Sequence, residues 1–217
     1  LTRLLQGCCV AAPAAIVRRE CYEKVSMFPG NMPYAGDWYL WCTFAFYYDV
    51  AYIAEPMIIR RLHDRNMTKF YEGEGRRTHM ANMLAVPWQM KSQAEAIGLK
   101  KIARLCHEAV IAEYIAQLSP NSIQTGRPGM SWEEFEESLH SYTTTQTEAK
   151  DIRAKILAGL GDHYYWENHL PQAYERYRRA LQESRWMPGV YAKYGLLYTG
   201  SLGTCMRAGL GAIGRAL

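Results

Sequence analysis

The spacing of apolar residues changes near residue 70. Before that point short apolar runs are divided by Gly and Pro; beyond it they recur at helical intervals over long stretches. "AAIVRRE" (14–20) starts strand-like and turns polar, while "ECYEKVSMF" (20–28) sets Tyr22, Val25 and Phe28 on a helical stripe. "PGNMP" (29–33) reads as a loop. "DWYLWCTFAFYYD" (37–49) opens on an acid of N-cap type and is apolar almost all round, which predicts a buried helix. "VAYIAEPMIIRRLH" (50–63) is β-branched and apolar, with Pro56 at an edge or break, and reads as strand. From Tyr71 the spacing predicts helices over about 73–97, 99–118, 131–141, 147–167, 171–184 and 188–199. "SPNSIQTGRPGMS" (119–131) is a loop, and "SWEE" (131–134) is a capping box opening the next helix. The expected fold class is therefore α+β and mostly helical. Residues 1–70 are mixed, and residues 71–217 form an all-α extension.

Within that extension Leu157, Leu160, Gly161, Tyr164, Ala173, Tyr177 and Ala180 follow a spacing that resembles the tetratricopeptide helix-turn-helix. Small residues there let two helices approach, and aromatics fill the gap. One such unit is expected, near residues 150–186, and a plain helical hairpin satisfies the same pattern. The last residues are rich in small side chains. Met206, Leu210, Ile213 and Leu217 share a helical face that suits packing on the hairpin or contact with a membrane surface.

Composition narrows the function classes. A chain of 217 residues with 49% hydrophobic and 21% charged residues can build a real core in one or two domains. The net charge of +4 is spread over short pairs such as Arg18-Arg19, Arg60-Arg61, Arg76-Arg77 and Arg178-Arg179. No dense basic patch marks a nucleic-acid binder, although such pairs suit a phosphate-bearing ligand or an anionic membrane. Six cysteines show no C-x-x-C pair, which reads as reduced thiols. Neither a signal peptide nor a membrane-spanning apolar run is legible. The expected location is the cytoplasm, with peripheral contact at the inner face of the membrane left open.

Two residues lead the candidates for chemistry. Asp37 stands in "PYAGDWYLW" (33–41), where loop hands over to helix, and His63 follows an apolar run in "RRLHDRNMT". Each has a plain reading, a helix cap for Asp37 and a hydrogen-bonded loop residue for His63. Together with their neighbours they carry a resemblance. Arg18-Arg19, Phe28, Gly36-Asp37-Trp38, Pro56-Met57 and Arg61-Leu-His63-Asp-Arg-Asn66-Met-Thr68 come in the order and spacing seen in the acceptor-side half of family 2 glycosyltransferases.

That resemblance, covering residues 7–70, implies part of a GT-A fold. It implies an inverting transfer of a sugar from a nucleotide-sugar donor to the hydroxyl of a saccharide or lipid-linked acceptor. Asp37 would be the catalytic base, Tyr34 and Trp38 would line the acceptor cleft, and Arg61 would reach a phosphate. His63 would help bind a divalent cation, Mn or Mg, that neutralises charge on the leaving diphosphate. No Asp-x-Asp occurs in the 217 residues. The nucleotide-binding half and most of the cation site are therefore expected ahead of Leu1, and this stretch alone is expected to be inactive. Gly36 stands where the family usually has an acid, a tolerated variant.

Other motifs carry less. "QESRW" (182–186) matches a processive-synthase motif but lies far from Asp37 and precedes no membrane span. His79, His107, His140, His163 and His169 are scattered, with no two-His metal face. The competing function is a non-catalytic helical module that binds a protein partner through residues 71–217.

Overall fold

A computed structural model describes residues 1–25, 27–59, 61, 63, 65–120 and 129–198. The Met206, Leu210, Ile213 and Leu217 face lies outside these residues, as do Arg60 and Asp64. The chain divides into two compact units, residues 1–130 and 131–217. The sequence places its boundary near 70 instead. The long helices on either side of residue 97 belong with the first unit because their apolar residues complete its core.

The first unit contains α1 (Thr2–Leu5), a single 3-10 turn (Ala12–Ala14), α2 (Arg19–Val25), α3 (Gly36–Tyr47), α4 (Met67–Glu72), α5 (Arg76–Ala96) and α6 (Lys100–Leu118). The expected α+β class, with its partial GT-A fold, is overturned. Among the described residues no strand forms: 15–18 run irregularly from the 3-10 turn into α2, and 50–59 are irregular. A strand exists only through pairing with a neighbour, and β-branched composition supplies a preference rather than a partner. Around Pro56 the chain leaves Tyr52 88% and Ile59 99% exposed, so neither sheet nor core covers it. The mostly helical expectation holds.

The core of this unit is built on α3. Its apolar run buries Trp38, Leu40, Trp41, Cys42 and Phe44 with Leu4 and Leu5 of α1, Val86 and Met90 of α5 and Cys106 of α6. Each large side chain removed from water in this way contributes roughly 1.5–3 kcal/mol. Two polar groups find partners as they enter: the Trp38 Nε1–H donates to Leu4 O at 2.6 Å, and Gln93 Nε2 donates to Tyr39 Oη at 2.7 Å. Cys42 and Cys106 are free thiols in this packing, and burial pushes them up to about 12 and about 11. They remain protonated and unreactive, as buried structural thiols do. Pro87 sits inside α5, where it removes one backbone hydrogen bond without ending the helix.

The second unit contains α7 (Trp132–Tyr142), α8 (Gln146–Trp166), α9 (Leu170–Glu183) and α10 (Pro188–Tyr198). "SWEE" folds as read: the Glu134 N–H donates to Ser131 Oγ at 3.1 Å, and the Ser131 N–H donates to Glu134 Oε2 at 2.8 Å. Asn168, at φ 63°, turns the chain between α8 and α9, a left-handed conformation that Asn tolerates. In the hairpin Gly161 faces the Tyr177 ring so closely that an added Cβ would lie 2.6 Å from two of its carbons. Arg153 of α8 is held by Glu136 of α7 at 2.8 Å and Glu183 of α9 at 3.0 Å.

The spacing of α8 returns in α10. Tyr191, Tyr194, Gly195 and Tyr198 stand 34 residues after Leu157, Leu160, Gly161 and Tyr164, the length of a tetratricopeptide repeat. Tyr194 stacks on Tyr174 with ring centroids 4.8 Å apart and donates its hydroxyl to Tyr174 Oη at 2.8 Å. Lys193 pairs with Asp162 at 2.7 Å.

Candidate functional site

The loop that leads into α3 is shaped from α5. Asn82 Oδ1 accepts the N–H groups of Tyr34 at 2.9 Å and Ala35 at 3.4 Å, two donors that the non-helical backbone cannot satisfy within itself. The Tyr34 ring lies 4.0 Å from the imidazole of His79 and meets the Tyr71 ring edge-on at 5.0 Å. Tyr34 is half-buried, while His79, Asn82 and Tyr71 are buried. None of these three supporting residues was legible as part of a site. Each is a single polar or aromatic position on a helix, and only the fold brings it under the loop.

Asp37 is not the N-cap that the sequence suggests. Ala35 takes that position without a side-chain cap, and Asp37 falls in the first turn of α3. Its Oδ1 accepts the Trp38 N–H at 2.7 Å, one of the first-turn donors that have no partner within the helix. The carboxylate is half-exposed, and no described cation forms an ion pair with it. It also acts on the loop after α1. Cys8 Sγ donates to Val10 O at 3.3 Å, and the thiol is pushed up to about 11, first by the protein packed around it and then by Asp37.

Trp38 has a different surrounding from the acceptor cleft that the resemblance implies. Its ring is 2% exposed, in the core beneath Asp37, and its indole N–H ties the start of α3 to α1. Arg61 and His63 lie on exposed, irregular chain. There the Asn66 N–H donates to His63 O at 3.1 Å, Asn66 Nδ2 donates to Arg61 O at 3.4 Å, and the Arg65 N–H donates to His63 Nδ1 at 3.2 Å. Arg61, His63 and Asn66 thus form one small turn. No hydrogen bond or ion pair links Asp37 to Arg61 or His63.

No group of three or more His, Cys, Asp or Glu side chains able to hold a metal ion occurs among the described residues. His63 Nδ1 accepts from the Arg65 N–H, so in the neutral ring the proton sits on Nε2.

Asn82→Ala is expected to cost about 1–3 kcal/mol, because it leaves two backbone donors beside the core unpaired. Denaturant unfolding of wild type and variant checks this, and an unchanged midpoint would show that the loop does not depend on Asn82.

No helix among the described residues is long and apolar enough to cross a membrane. No family model matches the chain, and neither a curated protein nor a solved structure matches it.

Proposed function

We propose that the first unit carries the acceptor-side chemistry of a family 2-like glycosyltransferase, with Asp37 as the general base. One observation carries the reading: a half-exposed carboxylate fixed at the start of α3 by a 2.7 Å hydrogen bond, with no described cation paired to it. A base needs a defined position and an available lone pair, and Asp37 has both. In the transfer the acceptor hydroxyl oxygen bonds to the anomeric carbon while the bond from that carbon to the nucleoside diphosphate breaks. The hydroxyl proton passes to the Asp37 carboxylate, and the single displacement inverts the anomeric centre. Tyr34, stiffened by Asn82, His79 and Tyr71, offers a ring to the acceptor sugar; Arg61 is exposed and free to reach a phosphate. The buried Trp38 holds the base's helix in place and contributes no face to the acceptor.

The test is a transfer assay on this chain together with any residues that precede Leu1 in its reading frame. A panel of nucleotide sugars and saccharide acceptors is screened for release of nucleoside diphosphate coupled to a glycosylated product. A protein that yields neither with any donor, while folded, overturns the reading.

A second reading is favoured by the second unit. The Gly161–Tyr177 contact and the return of the α8 spacing in α10 support a helical module that binds a protein partner. Capture of one defined partner by residues 131–217, lost on mutation of Tyr191 or Tyr194, is the expected result. The two readings concern different units and are compatible.

A further inference from the structure

Several cations of the second unit are held in ion pairs. Arg153, Lys155, Arg178 and Lys193 each lie within 3.0 Å of a carboxylate oxygen. Arg176 and Arg179 do not. They stand three residues apart on α9, so they share one face. Both guanidinium groups sit over the same indole, Trp132 of α7, at 5.9 Å and 5.0 Å from its ring centroid. Trp132 and both arginines are half-buried. Several acids of the unit are engaged with other groups: Glu134 closes the capping box, Glu136 and Glu183 hold Arg153, and Glu175 holds Arg178.

We propose that Arg176 and Arg179, held over Trp132, form a binding site for a phosphoryl group. Stacking occupies the face of a guanidinium and leaves its N–H edge, a rigid fork of donors, for an oxyanion. Two such forks one turn apart supply paired donors to a phosphate monoester or diphosphate, the geometry in which arginine binds most strongly. The indole removes much of the conformational freedom that free arginine side chains would lose on binding, so the site is organised before the ligand arrives. A purely structural arginine in this unit looks like Arg153, closed off by two carboxylates; Arg176 and Arg179 feel the nearby Glu175 but neither is closed by an ion pair among the described residues. The inference does not depend on sugar transfer.

The test is calorimetric titration of the full chain with inorganic pyrophosphate at low salt. Wild type is expected to bind, and Arg176→Gln/Arg179→Gln to bind at least ~10-fold more weakly, as loss of charge-assisted hydrogen bonds requires. Glutamine keeps part of the stem over Trp132, and circular dichroism checks that the helices persist. Arg178→Gln, which removes a neighbouring cation tied to Glu175, is expected to stay within about twofold of wild type. Absence of binding by wild type, or equal binding by the double variant, overturns the proposal. So does an equal loss in Arg178→Gln, which would mean diffuse charge rather than a site. Flotation with phosphatidic acid vesicles distinguishes the sources. Binding that needs Arg176 and Arg179 assigns the site to a lipid headgroup; pyrophosphate binding without flotation assigns it to a soluble phosphate ligand.

Discussion

Asp37→Asn is expected to lower sugar transfer by roughly 10²–10⁴-fold, the usual contribution of a positioned general base, while the protein stays folded. Asn has nearly the same shape, and its Oδ1 can still accept the Trp38 N–H that now holds Asp37 at 2.7 Å. What is lost is the ability to take a proton from the acceptor. The missing negative charge in the first turn of α3 costs about 0.3–1 kcal/mol of helix stabilisation. Proton transfer belongs to the transition state rather than to binding, so the loss should fall on kcat, with KM for the donor little changed. The assay uses the chain with any residues that precede Leu1, and unfolding curves run beside it. A variant that keeps transfer within about threefold of wild type would remove Asp37 from the mechanism. One that loses activity only because it unfolds is recognised from its melting curve.

The helices were legible because their signals are local. The run 131–142 announces itself through Ser131 and Glu134, whose side chains close the capping box using four consecutive residues. The hairpin was legible from Gly161 and Tyr177, whose types make sense only if two helices meet there. By contrast, 50–59 has the composition of a strand and forms none among the described residues, because a strand is a relation between two segments and one segment shows only half of it. Pro87 would have argued for a break in α5, yet the apolar spacing runs through it and the helix continues.

The candidate site was legible in part for the same reason. Asp37 was visible as an acid at the start of a buried helix, although two positions past the cap, which is Ala35. Asn82, His79 and Tyr71, which set the position of Tyr34, lie dozens of residues further on and carry no motif. Trp38 illustrates the opposite error. An aromatic beside a catalytic acid suggests a sugar platform, but the helical register turns it into the core. The return of the α8 spacing in α10 was present in the sequence throughout. It escapes a reading that seeks whole repeats, because only the first helix of a second unit shows it.

The largest expected loss of stability is in the hairpin, at Tyr177. Tyr177→Ala removes a fully buried ring from between α8 and α9 and leaves a cavity, for which about 3–5 kcal/mol is typical of large aromatic deletions. It also takes away the hydroxyl that donates to Asp162 Oδ1 at 2.6 Å, leaving that carboxylate to Lys193. Gly161 provides a sharper test because its sign should reverse. In wild type, Gly161→Ala places a Cβ 2.6 Å from the Tyr177 ring, and the ring must move within a packed hairpin. Overpacking of this kind costs about 1–3 kcal/mol. With Tyr177 already reduced to Ala the obstacle is gone, and the higher helix propensity of Ala, worth about 1 kcal/mol over Gly, should make the same substitution stabilising. A double-mutant cycle by urea unfolding should therefore give a coupling above ~1 kcal/mol, as expected for residues in direct contact. Additive effects, or stabilisation by Gly161→Ala in the presence of Tyr177, would mean that the two helices do not approach through this glycine. The tetratricopeptide-like packing of the hairpin would then have to be abandoned, and the partner-binding reading of the second unit would lose its main support.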